Sequence, residues 1–298
     1  MTGNLEGKVA LVTGSGRGFG RAVALAYASE GANIVSVARS REELLDAERA
    51  MVDAGGEVLT VVADLSNDLG IRKLFNETVD LYGGIDILVN NAATSSWLTI
   101  EDLTLGNWDM TMAVNLRAPF ALSKSFYPSM ERRGGGSIIN VSSRSAEIGF
   151  VAELAYCPSK FGLEGLTQCL ALELRPHNIA VNSLNVSSPP GKRLKPTEMS
   201  LDEADQMPEK IRDNYAKETE LVYHFKDAWV FLAEQDASGI TGMRLVTNEL
   251  SRVLREGGPE AAYNKWKGKR VEALYHPVEW PEKVKYQTKE GGWKELVF

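Results

Sequence analysis

The sequence predicts an α/β fold, a doubly wound parallel sheet of about seven strands with helices on both faces, followed by a C-terminal extension. Three observations predict it. Short apolar runs alternate along the chain with longer segments whose apolar residues recur every three or four positions. The first apolar run leads into a glycine-rich turn and then into a helical pattern. The 298 residues are 44% hydrophobic and 24% charged, a globular make-up that excludes disorder and low complexity.

In chain order, Val9–Thr13, Asn33–Ala38, Val58–Ala63, Ile85–Val89, Ser137–Val141, Ala180–Leu184 and Met243–Val246 read as buried strands, bounded by turn residues. Between them, Arg21–Ser29, Glu42–Ala54, Ile71–Tyr82, Trp108–Glu131, Phe161–Leu174 and Asp227–Gln235 read as helices. Parallel strands need crossover connections, so this alternation implies a parallel sheet covered on both faces. Two segments break the rhythm. Residues 186–208 hold four prolines and no strand pattern, and read as a long loop with a short helix near Leu201–Gln206. Residues 283–298 alternate around Gly291-Gly292, the pattern of a hairpin.

Composition narrows the partners. A formal charge of −7 and a pI near 5.2 argue against nucleic acid. No run approaches the ~18 apolar residues of a membrane span, so no membrane partner is expected. The first residues lack the basic and apolar regions of a leader, which makes a cytoplasmic location the expectation. Cys157 and Cys169 cannot build a disulfide scaffold, and His177, His224 and His276 stand apart, so no metal site is expected. Residues 251–298 carry 10 Lys/Arg against 7 Asp/Glu, and 7 of the 24 aromatics, although the chain as a whole is acidic. This shift divides the chain into a catalytic domain, 1–250, and an extension, 251–298, read as a lid on the substrate cleft or an oligomer arm.

The glycine-rich turn is Gly14-Ser15-Gly16-Arg17-Gly18-Phe19-Gly20, a G-x-x-x-G-x-G pattern between strand and helix. Glycines let a backbone approach a pyrophosphate closely, and a helix N-terminus offers free N–H groups and a positive dipole end. Nucleotide binding is therefore favoured over a plain tight turn. The second strand ends at Ala38-Arg39-Ser40 without the carboxylate that would hold the ribose hydroxyls of NAD. Arg39, with Arg17, suits a 2′-phosphate, which favours NADP with NAD as second choice; the alternative is two solvated surface arginines.

Tyr156 and Lys160 stand one helical turn apart, so their side chains share a face. An ammonium beside a phenol stabilises phenolate and makes the phenol a usable acid/base near neutrality. Ser143 follows the fifth strand, where a hydroxyl can reach a substrate oxygen. Spacing alone does not single out this pair, because Tyr263 and Lys267 repeat it in the extension without a strand-end serine.

With Asp64-Leu65 after the third strand, Asn90-Asn91-Ala92-Ala93 after the fourth, Asn115, Ser143 and Tyr156-x-x-Ser159-Lys160, residues 5–246 resemble the short-chain dehydrogenase/reductase family, with a Rossmann-like fold. The resemblance implies that Tyr156 passes a proton to or from the substrate oxygen. Lys160 lowers its pKa and bonds the nicotinamide ribose, and Ser143 orients the substrate. It further implies that Asn115 maintains a helix irregularity and a water-linked proton path. Asp64 and Leu65 would contact the adenine, and Asn91, with Ala92 beside it, the adenosine ribose. It implies a homodimer or homotetramer acting on a small alcohol, ketone or aldehyde. The expected activity is hydride transfer between NADP(H) and an alcohol or carbonyl. The alternatives are a non-catalytic nucleotide-binding sensor or scaffold, and a lyase, dehalogenase or epimerase of the same fold.

Three positions depart from the family pattern. Ala93 replaces a glycine, and Phe19 stands where Ile or Leu is common and is expected to pack under the cofactor. Val186-Ser187 stands where Pro-Gly cradles the nicotinamide; Pro190-Gly191 comes four residues later, with Thr197 beyond it. On the substrate side, Ser95, Ser96 and Trp97 follow the Asn-Asn-Ala-Ala turn, and the charged Arg144, Glu147 and Glu153 read either as contacts for a polar substrate or as surface or interface groups. Cys157 reads as a packing residue.

Overall fold

The computed structural model describes residues 3–192, 217–271, 283–287 and 293–297. Its centre is a seven-stranded sheet of β1 (Val9–Thr13), β2 (Asn33–Ala38), β3 (Val58–Val62), β4 (Ile87–Asn90), β5 (Gly136–Ser142), β6 (Ile179–Asn185) and β7 (Arg244–Val246). The order is β3-β2-β1-β4-β5-β6-β7, with every neighbouring pair parallel. The strands are apolar along their length because helices cover both faces. One face packs α1 (Gly18–Ala28), α7 (Glu218–Ala233) and α8 (Thr247–Trp266) around Tyr27, Phe225 and Trp229. The other packs α3 (Asp68–Tyr82) and α5 (Ala118–Arg132) around Leu74, Phe126 and Met130. The order in which strands are added reverses between β1 and β4, with β2 and β3 to one side and β4 to β7 to the other, and a ligand crevice forms beyond the strand C-termini at such a switch point.

Buried charge locks this centre. Asp86, just before β4, accepts the Val9 N–H at 2.8 Å and takes the Arg133 guanidinium in two bonds of 3.0 and 2.7 Å. One carboxylate thus ties β1, β4 and the end of α5, and its bidentate geometry offsets the cost of burying it.

Three elements differ from the sequence expectation. The helix expected over Trp108–Glu131 divides into α4 (Leu105–Met112), a π-helical turn at Ala113–Arg117 and α5. The π turn keeps helical φ/ψ at its ends, so apolar periodicity does not register it. Helix α7 begins at Glu218, well before the expected Asp227. Helix α8, which apolar periodicity did not mark, runs across residue 250. It bends at Gly258 (φ 68°, ψ −170°) and lays Leu250, Val253, Ala262 and Trp266 into the first core. The compositional shift follows its exposed residues, Arg252, Arg255 and Glu256 among them, and not its buried stripe.

Strands β8 (Lys283–Gln287) and β9 (Trp293–Val297) pair antiparallel with Gln287 opposite Trp293, as the hairpin pattern predicts. The Gly291-Gly292 turn, the Leu201–Gln206 helix, Thr197 and His276 lie outside the described residues. No helix among the described residues is long and apolar enough to cross a membrane.

If α8 is part of the core, Trp266→Ala should lower unfolding free energy by about 3–5 kcal/mol, as for other buried aromatics. Urea unfolding checks this, and a loss well under 1 kcal/mol would place Trp266 outside the cooperative unit.

Candidate active site

The turn between β1 and α1 is shaped by two glycines. Gly14 sits at φ +67°, and a Cβ on Gly20 would stand 2.2 Å from the Gly14 carbonyl oxygen. Helix α1 begins with no side-chain cap at Arg17 and no acidic residue in its first turn. Its N–H groups and positive dipole end therefore face the loop, a cradle that fits a pyrophosphate.

The cradle is held from below. The Thr13 hydroxyl donates to the Val89 carbonyl at 3.3 Å and accepts the N–H groups of Asn91 (3.0 Å) and Ala92 (2.9 Å). The Asn91 amide in turn donates to the Thr13 carbonyl at 2.9 Å. Ser15 is buried, and its hydroxyl is spent on the Val12 carbonyl, Ser36 and the Val37 N–H, so it stiffens the loop from the sheet side. Gly16 lies buried, and Gly18 opens α1. Phe19 is half-buried against the first core. Arg39 is exposed one residue beyond β2, and Arg17 pairs with Glu43 of α2 (Arg41–Asp53) at 3.0 Å. Asp64 caps its own turn by accepting the Ser66 N–H at 2.9 Å, with Leu65 buried beside it.

The second group lies at the C-terminal edge of β5. Tyr156 opens α6 (Tyr156–Glu173), and Lys160 follows one turn later with its Nζ 5.5 Å from the phenol ring centroid. That ammonium donates to the Val141 carbonyl at 2.8 Å, which ties α6 to the strand that ends just before Ser143. The Ser143 hydroxyl accepts the Ser145 N–H at 3.1 Å, capping a short 3₁₀ turn over Arg144–Ala146. Asn115 lies inside the π turn. Its amide exchanges hydrogen bonds with the Thr94 backbone at 2.8 and 2.9 Å and donates to the Ser159 hydroxyl at 3.0 Å. Asn115 thus joins the loop after β4 to the helix that carries Tyr156 and Lys160.

A family model for short chain dehydrogenases matches residues 8–193. The chain belongs to that family. Dehydrogenase/reductase SDR family member 4 of Homo sapiens is 36% identical over 243 residues, 81% of this chain and 86% of its own. The crystal structure of L-sorbose reductase from Gluconobacter frateurii, complexed with NADPH and L-sorbose, is 30% identical. It superposes with a TM-score of 0.69 over 83% of this chain and 97% of that one. A metagenomic short-chain oxidoreductase in complex with NADP is 37% identical, with a TM-score of 0.60 over 64% of this chain and 86% of its own.

This short-chain dehydrogenase also buries residues that sequence reasoning missed. Glu164 lies one turn beyond Lys160 and accepts the hydroxyls of Ser142 and of Ser183, the latter at 2.6 Å. Arg244 of β7 stands 3.3 Å from the same carboxylate, pairs with Glu147 at 2.5 Å, and donates to the Ser143 carbonyl at 3.3 Å. The i,i+4 spacing from Lys160 is the one sequence signal that could have found Glu164. On the substrate side, the Trp97 and Ala152 backbones take positive φ (48° and 65°), and the next residues, Leu98 and Glu153, form a β-bridge between their loops. Glu153 is buried, not a surface group, and Cys157 packs beside it with its thiol pushed up to about 12, chiefly by burial.

Lys160 is 2% exposed, and burial lowers its pKa from 10.5 to about 8, with Glu164 opposing the shift. Below pH 8 the folded protein holds a charge that the unfolded chain would solvate more favourably. Between pH 8 and 10.5 the unfolded chain binds the extra proton, so this group's contribution to stability rises with pH. Wild type should therefore gain about 2 kcal/mol over Lys160→Met between about pH 7 and about pH 9.5 in paired urea titrations. A constant difference across that range would exclude the buried cation.

Proposed function

We propose that the chain is an NADP(H)-dependent oxidoreductase that interconverts an alcohol and a carbonyl compound, with Tyr156 as general acid/base. One observation carries the reading. A buried ammonium, Lys160, lies beside the Tyr156 ring and is bonded to the strand that leads to Ser143, on the sheet edge next to a glycine cradle built for a dinucleotide.

A nicotinamide dinucleotide held along Gly14–Gly20 supplies or takes up the hydride. Gly14, Ser15, Gly16, Arg17, Gly18, Phe19 and Gly20 would hold its pyrophosphate side, and Asp64, Leu65, Asn91 and Ala92 its adenosine side. In the reducing direction Tyr156 gives its proton to the substrate oxygen as the carbonyl carbon receives the hydride; in oxidation the proton returns to Tyr156. Lys160 holds phenolate within reach of neutral pH through its charge, and Ser143 holds the substrate oxygen by a hydrogen bond. Asn115 holds the π turn and α6 in register beneath them. Arg17 and Arg39 favour a 2′-phosphate, in keeping with the NADP and NADPH bound in the related structures named above.

Two measurements test the reading. Tyr156→Phe should reduce kcat/KM for NADPH-dependent reduction of an aldehyde or ketone by at least about 10²–10³-fold, followed as loss of nicotinamide absorbance. Unchanged turnover would exclude Tyr156 as the acid. Separately, Arg39→Ala should weaken NADPH about tenfold in calorimetric titration and leave NADH nearly unchanged, since an exposed charge-assisted contact to phosphate is worth roughly 1–2 kcal/mol. Tighter binding of NADH than NADPH by the wild-type chain would overturn the cofactor assignment.

A further inference from the structure

The loop between β5 and α6 buries a carboxylate for which the acid/base scheme has no use. Glu153 is 8% exposed, and its Oε2 accepts the Ser145 hydroxyl at 2.6 Å. The Ser145 Oγ lies 3.2 Å from the Ser143 Oγ, and the Ser145 N–H donates to that same oxygen at 3.1 Å. A continuous path of hydroxyls therefore runs from a buried carboxyl to the serine expected to hold the substrate. The backbone is arranged to put it there: Ala152 sits at φ +65°, a conformation costly for any residue with a Cβ, and Glu153 forms a β-bridge with Leu98.

We propose that Glu153 is a positioning residue that acts through the Ser145 hydroxyl to decide whether the Ser143 proton is held inside the protein or presented to the substrate oxygen. The inference rests on the oxidoreductase reading above. Its logic is a count of donors. A carboxylate only accepts, so ionised Glu153 takes the Ser145 proton. The Ser145 oxygen then offers Ser143 only a lone pair, and the Ser143 proton is drawn inward, away from the substrate. A protonated Glu153 instead donates to Ser145, Ser145 donates to Ser143, and the Ser143 proton is left for the substrate oxygen. Three donors in line polarise one another, which suits an oxygen gaining negative charge as the carbonyl accepts hydride.

The surroundings favour this use. Burial raises the Glu153 pKa, against the pull of hydrogen bonds from Ser145 and Cys157. The Cys157 thiol, 3.4 Å away on α6, stays uncharged, and the β-bridge partner Leu98 brings no charge. Of the charged residues on the same loop, Arg144 lies over the Phe150 ring and Glu147 is paired with Arg244.

The test is the pH profile of kcat/KM for NADPH-dependent reduction of whichever aldehyde or ketone of a panel the full-length chain turns over fastest. Wild type should lose rate as pH rises through a carboxyl titrating above the ordinary range. Glu153→Gln, a neutral side chain that can still donate to Ser145, should keep the low-pH rate and lose that limb, leaving only the limb set by Tyr156. Ser145→Ala should lower the low-pH rate about three- to tenfold, chiefly in kcat, and flatten the same limb. Because Ser145→Ala leaves the carboxyl in place, it reads the coupling even if Glu153→Gln does not fold. A Glu153→Gln or Ser145→Ala profile that parallels wild type at every pH would overturn the proposal. Tyr156→Phe is measured alongside. If turnover survives it, or if wild type turns over no carbonyl, the oxidoreductase reading fails and this inference falls with it. If turnover is lost in Tyr156→Phe while the Glu153→Gln profile matches wild type, only the positioning role fails.

Discussion

An ammonium buried between a sheet and a helix is the constraint that organises this molecule. Taking Lys160 out of water is costly, and its lowered pKa reflects that cost. The fold offsets it with the Val141 carbonyl and with the Glu164 carboxylate, which must then be satisfied in turn. Ser142 of β5, Ser183 of β6 and Arg244 of β7 all converge on Glu164. Ser183 and Arg244 are register partners across β6 and β7. A one-residue slip of β7 against β6 would turn Arg244 to the opposite face and take it away from Glu164. The same carboxylate that faces Lys160 therefore also gathers side chains from β5, β6 and β7.

The cofactor side solves a different problem with different parts. The loop after β1 is supported by its own Ser15 side chain, by the Gly14 and Ser15 N–H groups, which donate to the Val37 carbonyl at 2.8 and 3.3 Å, and by the neighbouring strand β4. Thr13, Asn91 and Ala92 bind the ends of β1 and β4 into one unit at the switch point. Asn115 does the equivalent for the catalytic side, where the extra residue of the π turn aims its amide at both Thr94 and Ser159. In both places a side chain with fixed donors and acceptors replaces backbone pairing that the local geometry has removed.

What was legible in the sequence was local. Strands buried on both faces announce themselves as apolar runs, and the glycine cradle and the Tyr156/Lys160 turn are short motifs within a few residues. The π turn was not legible in the apolar spacing, because one extra residue in a helix leaves that spacing nearly intact on either side; only the resemblance implied an irregularity, at Asn115, and the turn lies there. Helix α8 was masked because its exposed charges dominate the composition while Leu250, Val253, Ala262 and Trp266 carry its packing. Arg244 and Glu164 were hidden for a third reason. They are 80 positions apart in the chain, and it takes both the packing of α6 on the sheet and the β6–β7 pairing that sets Ser183 opposite Arg244 to bring them together.

The second tyrosine–lysine pair shows why such long-range terms matter more than spacing. Lys267 Nζ lies 5.4 Å from the Tyr263 ring, against 5.5 Å for Lys160 and Tyr156, so the ammonium–ring distance does not tell the two pairs apart. Their surroundings are not alike. Lys267 is exposed, whereas Lys160 is buried against a strand carbonyl with a carboxylate one turn away. Tyr263 receives a hydrogen bond from Gln235 at 3.3 Å and packs on Phe231, as a structural residue of α8 does. A cation in water is screened and shifts a nearby phenol little, while the same cation in the interior acts at low effective dielectric. The acid/base character argued for Tyr156 is therefore a property of the seam between β5 and α6, and the motif marks where that seam lies without creating it.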